Sequence, residues 1–381
     1  MTGRRIGLDV TAAVRQGGGI GRYVRELLRA LAIQDEEQQY RLFFASQRPL
    51  PHSLPMLPFN FHIRRLPWHD IWHARLWHRL RIPLPVETFT GRVDLYHSPD
   101  FTLPPVLPGT PTVLTVHDLS FAKDPDSASP GLRGYLDVVV PRSVQRATQV
   151  LADSQATKDD LIELYGTPAE KISVLYSGVE ASFRPIDDEA KLAAVRQRYH
   201  LGAAPFIFSI STLQPRKNYQ RLIAAFDAAL RSTDINLVIA GGKGWLYNEI
   251  FAEAERRKLA GRVLFPGFVD DADLSALYSA AVALAYPSLY EGFGLPLLEA
   301  MACGTPVLAS TAPCLPEVAG NAALLVDPYD VDDIADGLQQ IVSDSALRVK
   351  LVERGFERAA QFRWEDSAQT LIQLYEELAR R

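Results

Sequence analysis

Short, almost uninterrupted apolar runs alternate with longer helix-patterned stretches along the 381 residues, and this alternation leaves few architectures open. Residues 6–10, 112–116 and 149–152 read as buried strands of the first half, and 206–210, 236–240 and 281–285 as those of the second. Strands apolar on both faces suit a parallel sheet covered on each side by helices. The helical stretches between them, such as 217–231 and 246–258, fit right-handed crossovers. A chain this long is expected to divide its core in two. The predicted fold class is therefore α/β, with two doubly wound, Rossmann-like parallel-sheet domains. In such sheets ligands lie beyond the carboxyl ends of the strands, so residues that immediately follow a strand are the first candidates for chemistry.

The richest of these segments is Tyr290-Glu291-Gly292-Phe293-Gly294-Leu295-Pro296-Leu297-Leu298-Glu299. Two carboxylates bracket a Gly-x-Gly turn, and the second sits on the helix that the turn opens. Pro296 fits the first turn of that helix, where its missing N–H costs nothing. The early N–H groups of a helix lack internal partners and attract anions. An anion flanked by hydroxyl-binding carboxylates describes a nucleoside-diphosphate sugar. The same two glutamates, taken alone, also suit a solvated cap and an exposed helical charge.

Other strand-end residues fit the same chemistry. Gly17-Gly18-Gly19-Ile20-Gly21 lies between the first strand and a helix, and glycines let a backbone approach a ligand closely. A dinucleotide fingerprint is excluded because Arg22 stands at the last glycine position, and no Walker loop is present. Arg216 and Lys217, in Gln214-Pro215-Arg216-Lys217-Asn218, offer a planar fork and a compact point charge to a diphosphate; adjacent cations are also ordinary surface residues. His117 ends the strand 112–116, where a packed histidine is the plain alternative to a catalytic one. Asp153-Ser154 caps the helix from Gln155, with a site-lining role secondary. Two Asp-x-Asp sequences, Asp124-Pro125-Asp126 and Asp271-Ala272-Asp273, read as turn and helix-start chemistry rather than metal ligands.

Together with Ala300-Met301-Ala302-Cys303-Gly304-Thr305-Pro306-Val307, the Glu291–Glu299 segment resembles the signature of family 4 of the retaining glycosyltransferases, and the resemblance runs along nearly the whole chain. It implies the GT-B fold, with two domains facing a central cleft: 1–184 on the acceptor side, 185–362 on the donor side, and a terminal helix, 363–381, crossing back to the first. Gly18 and Gly19 would line the donor diphosphate, and Arg216 and Lys217 would neutralise it as it leaves. Glu291 would bind sugar hydroxyls and Glu299 the ribose hydroxyls. Phe293 and Gly294 belong to the same donor loop, with the main-chain N–H groups of Leu297 and Leu298 on the phosphates. His117 would touch the donor sugar, its main-chain carbonyl near the anomeric centre. The loop from Pro266 to Asp271 would hold the nucleobase through main-chain contacts at Val269. Ser211 and Gln214 stand where many relatives have an arginine and an acid, which leaves the division of work between Arg216 and Lys217 open.

The motif wording is most similar to bacterial mannosyltransferases of surface-polysaccharide pathways. It implies a hexosyltransferase that needs no cofactor and no metal, takes mannose from GDP-mannose and delivers it to a glycan or lipid-linked glycan. A UDP-hexose donor is the runner-up. A nucleotide-sugar epimerase or hydrolase, and a non-catalytic nucleotide-sugar sensor, are the rivals outside the transferase class.

Net charge of −5 gives no basis for a nucleic-acid partner. Cys303 and Cys314 form neither a CxxC pair nor a disulfide framework, which points to reduced thiols. No apolar run approaches the roughly 20 residues that cross a bilayer, and a cytoplasmic location is expected. One segment, 62–81, stands apart with five Arg, four His and three Trp against a single acid, Asp70. On a helix Trp68, Trp72, Leu76 and Leu80 would share a face beside Arg75 and Arg79. That face suits either an anionic membrane surface or ordinary core packing.

Overall fold

The computed structural model describes residues 3–45, 54–66, 69, 74–124 and 128–380. They form two compact units, one of Met1–Ala122, Pro130–Gly178 and Arg363–Arg381, the other of Lys123–Ser129 and Val179–Phe362. The main division falls a few residues before Arg184.

The first unit is built on a seven-stranded parallel sheet in the order β3-β2-β1-β4-β5-β6-β7. Its strands are β1 (Arg5–Asp9), β2 (Gln39–Ala45), β3 (Phe61–Leu66), β4 (Leu95–Ser98), β5 (Thr112–Val116), β6 (Gln149–Ala152) and β7 (Ile172–Val174). The second carries six parallel strands in the order β10-β9-β8-β11-β12-β13. These are β8 (Phe206–Ile210), β9 (Asn236–Ala240), β10 (Val263–Gly267), β11 (Ala283–Tyr286), β12 (Val307–Ser310) and β13 (Ala323–Val326). In each sheet the chain winds outward from a central strand, then crosses back to that strand's other side. The strand order thus reverses between β1 and β4, and again between β8 and β11, which is where an open α/β sheet leaves a crevice.

Burial explains why these short runs are strands. β4, β5, β9, β11 and β12 are buried at every position, as parallel strands sandwiched between helices must be. The helices that matter for the site are α1 (Gly19–Gln34), α2 (Gln155–Tyr165), α3 (Tyr219–Leu230), α4 (Asp271–Ala280), α5 (Leu295–Ala302) and α6 (Trp364–Leu378).

Helix α6 belongs to the core of the first unit. Trp364, Ala368, Leu371, Tyr375 and Leu378 are buried among Leu27, Leu31, Leu95 and Leu151, and each large side chain contributes about 1.5–3 kcal/mol by burial. Polar ties fix its position: Gln34 Nε2 donates to the Glu365 carbonyl at 2.7 Å, and Ser367 Oγ donates to the Tyr176 carbonyl at 2.6 Å. The chain passes so close at Gly178 that a Cβ there would lie 2.1 Å from the Trp364 nitrogen. Only glycine allows that approach.

Of the basic segment 62–81, residues 62–66, 69 and 74–81 are described. Its start is the edge strand β3, whose residues His62 to Arg65 are exposed, and 74–79 forms one wide helical turn. Charged residues on an exposed edge oppose strand addition, a sufficient reason for Arg64 and Arg65 in this place. Trp77 is buried, donating from Nε1 to the Leu84 carbonyl at 2.9 Å and meeting Phe89 edge-on. Leu80 is exposed. Trp68, Asp70 and Trp72 lie outside the described residues. Among the described residues, no helix is long and apolar enough to cross a membrane.

Candidate functional site

In the second unit the expected charges meet where the strand order reverses. β8 and β11 are neighbours, with Phe208 opposite Leu284, so the loops that leave their carboxyl ends lie side by side. The β8 loop turns through Pro215–Lys217 and holds Asn218 in a left-handed conformation (φ 62°) before α3 begins. The β11 loop brings in Glu291. Lys217 Nζ is 2.5 Å from Glu291 Oε1 and Arg216 Nη1 is 2.9 Å from Oε2, so one carboxylate bridges two cations. Main chain joins the same loops: Arg216 Nη1 also donates to the Tyr290 carbonyl at 2.7 Å, and the Leu289 N–H donates to the Arg216 carbonyl at 2.8 Å.

Lys217 and Glu291 are both nearly inaccessible. Burial pushes the Glu291 carboxyl upward, but the adjacent Lys217 and Arg216 charges outweigh it and bring the group down to about 2. The carboxylate therefore stays ionised across the neutral range. Tyr286, at the end of β11, places its hydroxyl 3.3 Å from Lys217 Nζ. Burial and the Glu291 charge hold this phenol well above its ordinary range, so it remains protonated.

Helix α5 opens directly after the turn. Gly294 caps it at φ 103°, a conformation that favours glycine, and a Cβ there would approach the movable Leu315 Cδ2 to 2.7 Å. Pro296 occupies the first turn. Phe293 is buried edge-on against Phe362, and its carbonyl accepts from Cys314 Sγ at 3.2 Å. The Leu297 N–H donates to the Gly294 carbonyl at 3.0 Å and is thus engaged within the turn. The side chains of Leu297 and Leu298 are fully buried. Glu299, 2% exposed, accepts from the Tyr278 hydroxyl at 2.8 Å. It is a buried, hydrogen-bonded acid, which rules out the exposed helical charge that its sequence position also allowed.

Val269 is buried beside the exposed Phe268, and the following Asp270 N–H donates to the Tyr199 hydroxyl at 3.0 Å. Asp273 receives Arg198 Nη1 at 2.6 Å and the Tyr199 hydroxyl at 2.8 Å. These bonds, and the place of Asp271 at the start of α4, give the second Asp-x-Asp structural work. Pro125 and Asp126 of the first lie outside the described residues.

In the first unit Gly18 caps α1, and a Cβ on Gly18 or Gly19 would meet no atom within 4 Å. Nothing in the packing of the chain itself demands glycine at these two positions. His117 follows β5 and is buried. Its Nδ1–H donates to Asp153 Oδ2 at 2.8 Å and its Nε2–H donates to the Pro99 carbonyl at 3.0 Å. Tyr23 and Phe101 meet the ring edge-on at centroid distances of 4.9 and 5.6 Å. Two acceptors, one on each nitrogen, fit an imidazolium. Burial opposes that charge, but Asp153 dominates with help from Asp100 and the Pro99 carbonyl, and the group rises to about 9. Both ring nitrogens are thus engaged within the chain, and the His117 main-chain carbonyl accepts from Thr157 Oγ1 at 3.4 Å.

Asp153 is thus more than a cap. Ser154 alone caps α2, accepting from the Thr157 N–H at 3.1 Å, while Asp153 turns to His117. The parallel pairing of Val116 with Ala152 makes His117 and Asp153 the next pair in register, a relationship visible only once β5 and β6 are known to be neighbours. Behind them His97 is held by the Tyr375 hydroxyl at 2.6 Å and by Thr115 Oγ1 at 2.9 Å. Burial, reinforced by the His117 charge, lowers it to about 3, so the two histidines stay in opposite protonation states.

Comparisons with known proteins bear on the family and the fold. Residues 17–183 match the family model described as Glycosyltransferase Family 4, and residues 195–358 match Glycosyl transferases group 1. O-antigen chain mannosyltransferase B of Escherichia coli is 33% identical over 369 residues, covering 94% of this chain and 95% of that protein. A D-inositol 3-phosphate glycosyltransferase of Corynebacterium jeikeium is 34% identical over 287 residues, covering 70% and 67%. Among solved structures, sucrose-phosphate synthase from Thermosynechococcus elongatus superposes with a TM-score of 0.77 at 23% identity, covering 98% of this chain and 99% of that one.

Proposed function

The chain belongs to glycosyltransferase family 4 and has the GT-B fold, and from this premise we propose that it is a retaining, metal-independent mannosyltransferase. It takes mannose from GDP-mannose and passes it to a hydroxyl of a glycan or lipid-linked glycan. The single observation that carries this reading is the Arg216–Glu291–Lys217 cluster at the strand-order reversal of the second unit. Two cations on one carboxylate are suited to a diphosphate leaving group. Preorganised charge of this kind acts where negative charge develops in the transition state. The helix N-terminus at Gly294 adds a second electropositive element of the same sign.

Glu291 accepts from Lys217 on one oxygen and from Arg216 on the other, with the Ser288 and Tyr286 side chains also bonded to it, and this fixed carboxylate is assigned to the sugar hydroxyls. Glu299 binds the ribose hydroxyls from the fifth position of α5. In the transfer step the anomeric carbon–oxygen bond to phosphate breaks as the acceptor oxygen bonds to the same face. The acceptor's proton goes to the departing phosphate oxygen. His117, its ring held at both nitrogens, is assigned to the donor sugar by the family resemblance. No protein nucleophile is required.

Mannose is favoured by the name of the E. coli relative, and GDP follows from mannose as the usual pairing of the motif wording. A UDP-hexose transferase of the same fold is the runner-up, since base recognition through main chain at Val269 leaves no side-chain signature. The reading includes a cytoplasmic location, peripheral at the inner face of the membrane. A thermal-shift screen of GDP-mannose against UDP-glucose, followed by calorimetric titration, tests the donor. Product analysis with and without acceptor then separates transfer from hydrolysis or epimerisation. Failure of both sugar nucleotides to bind would overturn the reading.

A further inference from the structure

The chemistry above uses Arg216 and Lys217 but leaves the next residue, Asn218, without a task. Its environment is unusual. The side chain is 4% exposed, and the backbone is left-handed at φ 62° and ψ 27°. Its Nδ2 donates twice, to the Pro287 carbonyl at 2.9 Å and to the Pro328 carbonyl at 2.6 Å, while Oδ1 accepts from Arg221 Nη1 at 3.0 Å. Pro287 begins the loop that ends β11 and carries Glu291. Pro328 lies in the loop that follows β13. One amide therefore joins three strand-end loops, including both that supply the charged cluster.

We propose that Asn218 is a positioning residue that sets the separation of Lys217 from Glu291; this rests on the role given to that pair above. The left-handed turn at Asn218 ends the short helix that presents Lys217, so the direction of the lysine and the anchor of the asparagine are fixed by the same backbone. Proline carbonyls are apt anchor points, since a proline has no N–H with which to form a competing ladder and its own φ is restricted. The bond to the Pro328 carbonyl ties the β13 loop to the segment that presents Lys217. Arg221 completes the clamp, holding Oδ1 in the orientation that points Nδ2 at both carbonyls. Its guanidinium lies 5.6 Å from the ring of Tyr329, the neighbour of Pro328.

The chemistry of the amide makes the proposal testable without gross disruption. Asn218→Gly keeps a left-handed turn and removes the amide. Asn218→Asp keeps size and turn preference but sets a carboxylate against two carbonyl oxygens, replacing both donors by repulsion. The full-length protein is titrated with GDP-mannose and with UDP-glucose, and GDP or UDP release is followed for whichever binds, alongside the thermal midpoint. Lys217→Ala is the reference variant.

A positioning role predicts that Asn218→Gly lowers the release rate about tenfold and Asn218→Asp more. It also predicts that the Lys217→Ala/Asn218→Gly double variant is no slower than Lys217→Ala alone. A merely structural asparagine would lower the midpoint and slow the double variant by the product of the single effects. That additive result, or a full-rate Asn218→Gly, overturns the proposal while Lys217→Ala remains impaired. If Lys217→Ala itself runs at full rate, the reading of the charged pair fails instead.

Discussion

Lys217 and Glu291 come from loops 74 residues apart in sequence, yet their charged atoms lie 2.5 Å apart in a nearly solvent-free environment. Breaking a buried pair outright costs about 3–5 kcal/mol, but without Lys217 the Glu291 carboxylate keeps Arg216 at 2.9 Å. Lys217→Ala should therefore destabilise the fold by less than that, while lowering turnover by about 10²–10³, the effect of losing one transition-state charge stabiliser. Glu291 owes its depressed pKa, about 2, to Lys217 and Arg216 acting against burial. Depression means its stabilisation is complete above the usual carboxylate pKa and lost as pH falls toward 2. With Lys217 gone that loss should move to higher pH. Urea unfolding of both proteins across the acid range measures the shift; an unmoved acid limb counts against the coupling.

His117 gives the opposite sign. Its folded pKa is raised from 6.5 to about 9, through Asp153 chiefly, against the burial that opposes it. Its contribution is complete below pH 6.5 and declines as pH rises through 9. The groups around the ring are Asp153, Asp100, the Pro99 carbonyl and the Tyr23 and Phe101 rings. Unfolding free energy should fall by a few kcal/mol between these two pH values, and His117→Asn should lack that slope. Equal slopes in the two proteins would show that the ring is neutral in the folded chain.

The two sheets were legible in the sequence because parallel strands buried on both faces are written as apolar runs, as at 112–116 and 206–210. β4 and β7 were harder. Leu95–Ser98 is four residues with an internal histidine, and Ile172–Val174 is three; neither is long enough to show a period. Arg216, Lys217, Glu291 and Glu299 stood out because charge beside a strand end or a Gly-x-Gly turn is chemically conspicuous. Asp153, Tyr278 and Asn218 did not. Each acts through a partner 21 or more residues away, and such a pairing has no local pattern. The start of the 62–81 segment is decided by its pairing to β2, which the spacing of its tryptophans does not reveal.

Gly294 tests how tightly the donor loop is built. At φ 103° any side chain is strained, and a Cβ would also press on Leu315 Cδ2. The leucine methyl can move, so backbone strain dominates, at about 1–3 kcal/mol. Gly294→Ala should lower the thermal midpoint and weaken GDP-mannose binding, because the same residue sets the direction of the α5 N-terminus. Calorimetry and a melting curve on one preparation check both. Normal donor affinity in a destabilised variant would separate the turn from the donor site.

Glu299 offers the sharpest separation of binding from folding. It is 2% exposed and accepts from Tyr278 Oη at 2.8 Å, so Glu299→Ala leaves a buried hydroxyl without its acceptor, at about 1–3 kcal/mol of stability. The same substitution removes the proposed acceptor for the ribose, and a hydrogen bond to a charged group is worth about 1.5–3 kcal/mol, or roughly 10- to 150-fold in donor affinity. The two losses are distinguishable. Tyr278→Phe removes the internal hydroxyl, leaves the carboxylate in place and should keep donor affinity close to the parent value. Glu299→Gln keeps an acceptor for Tyr278 but loses the charge, so its stability should exceed that of Glu299→Ala while its donor affinity still falls. Titration of the three variants with GDP-mannose, each paired with urea unfolding, provides the comparison. A Glu299→Ala protein that is less stable yet binds the donor as the parent does would restrict this glutamate to holding Tyr278.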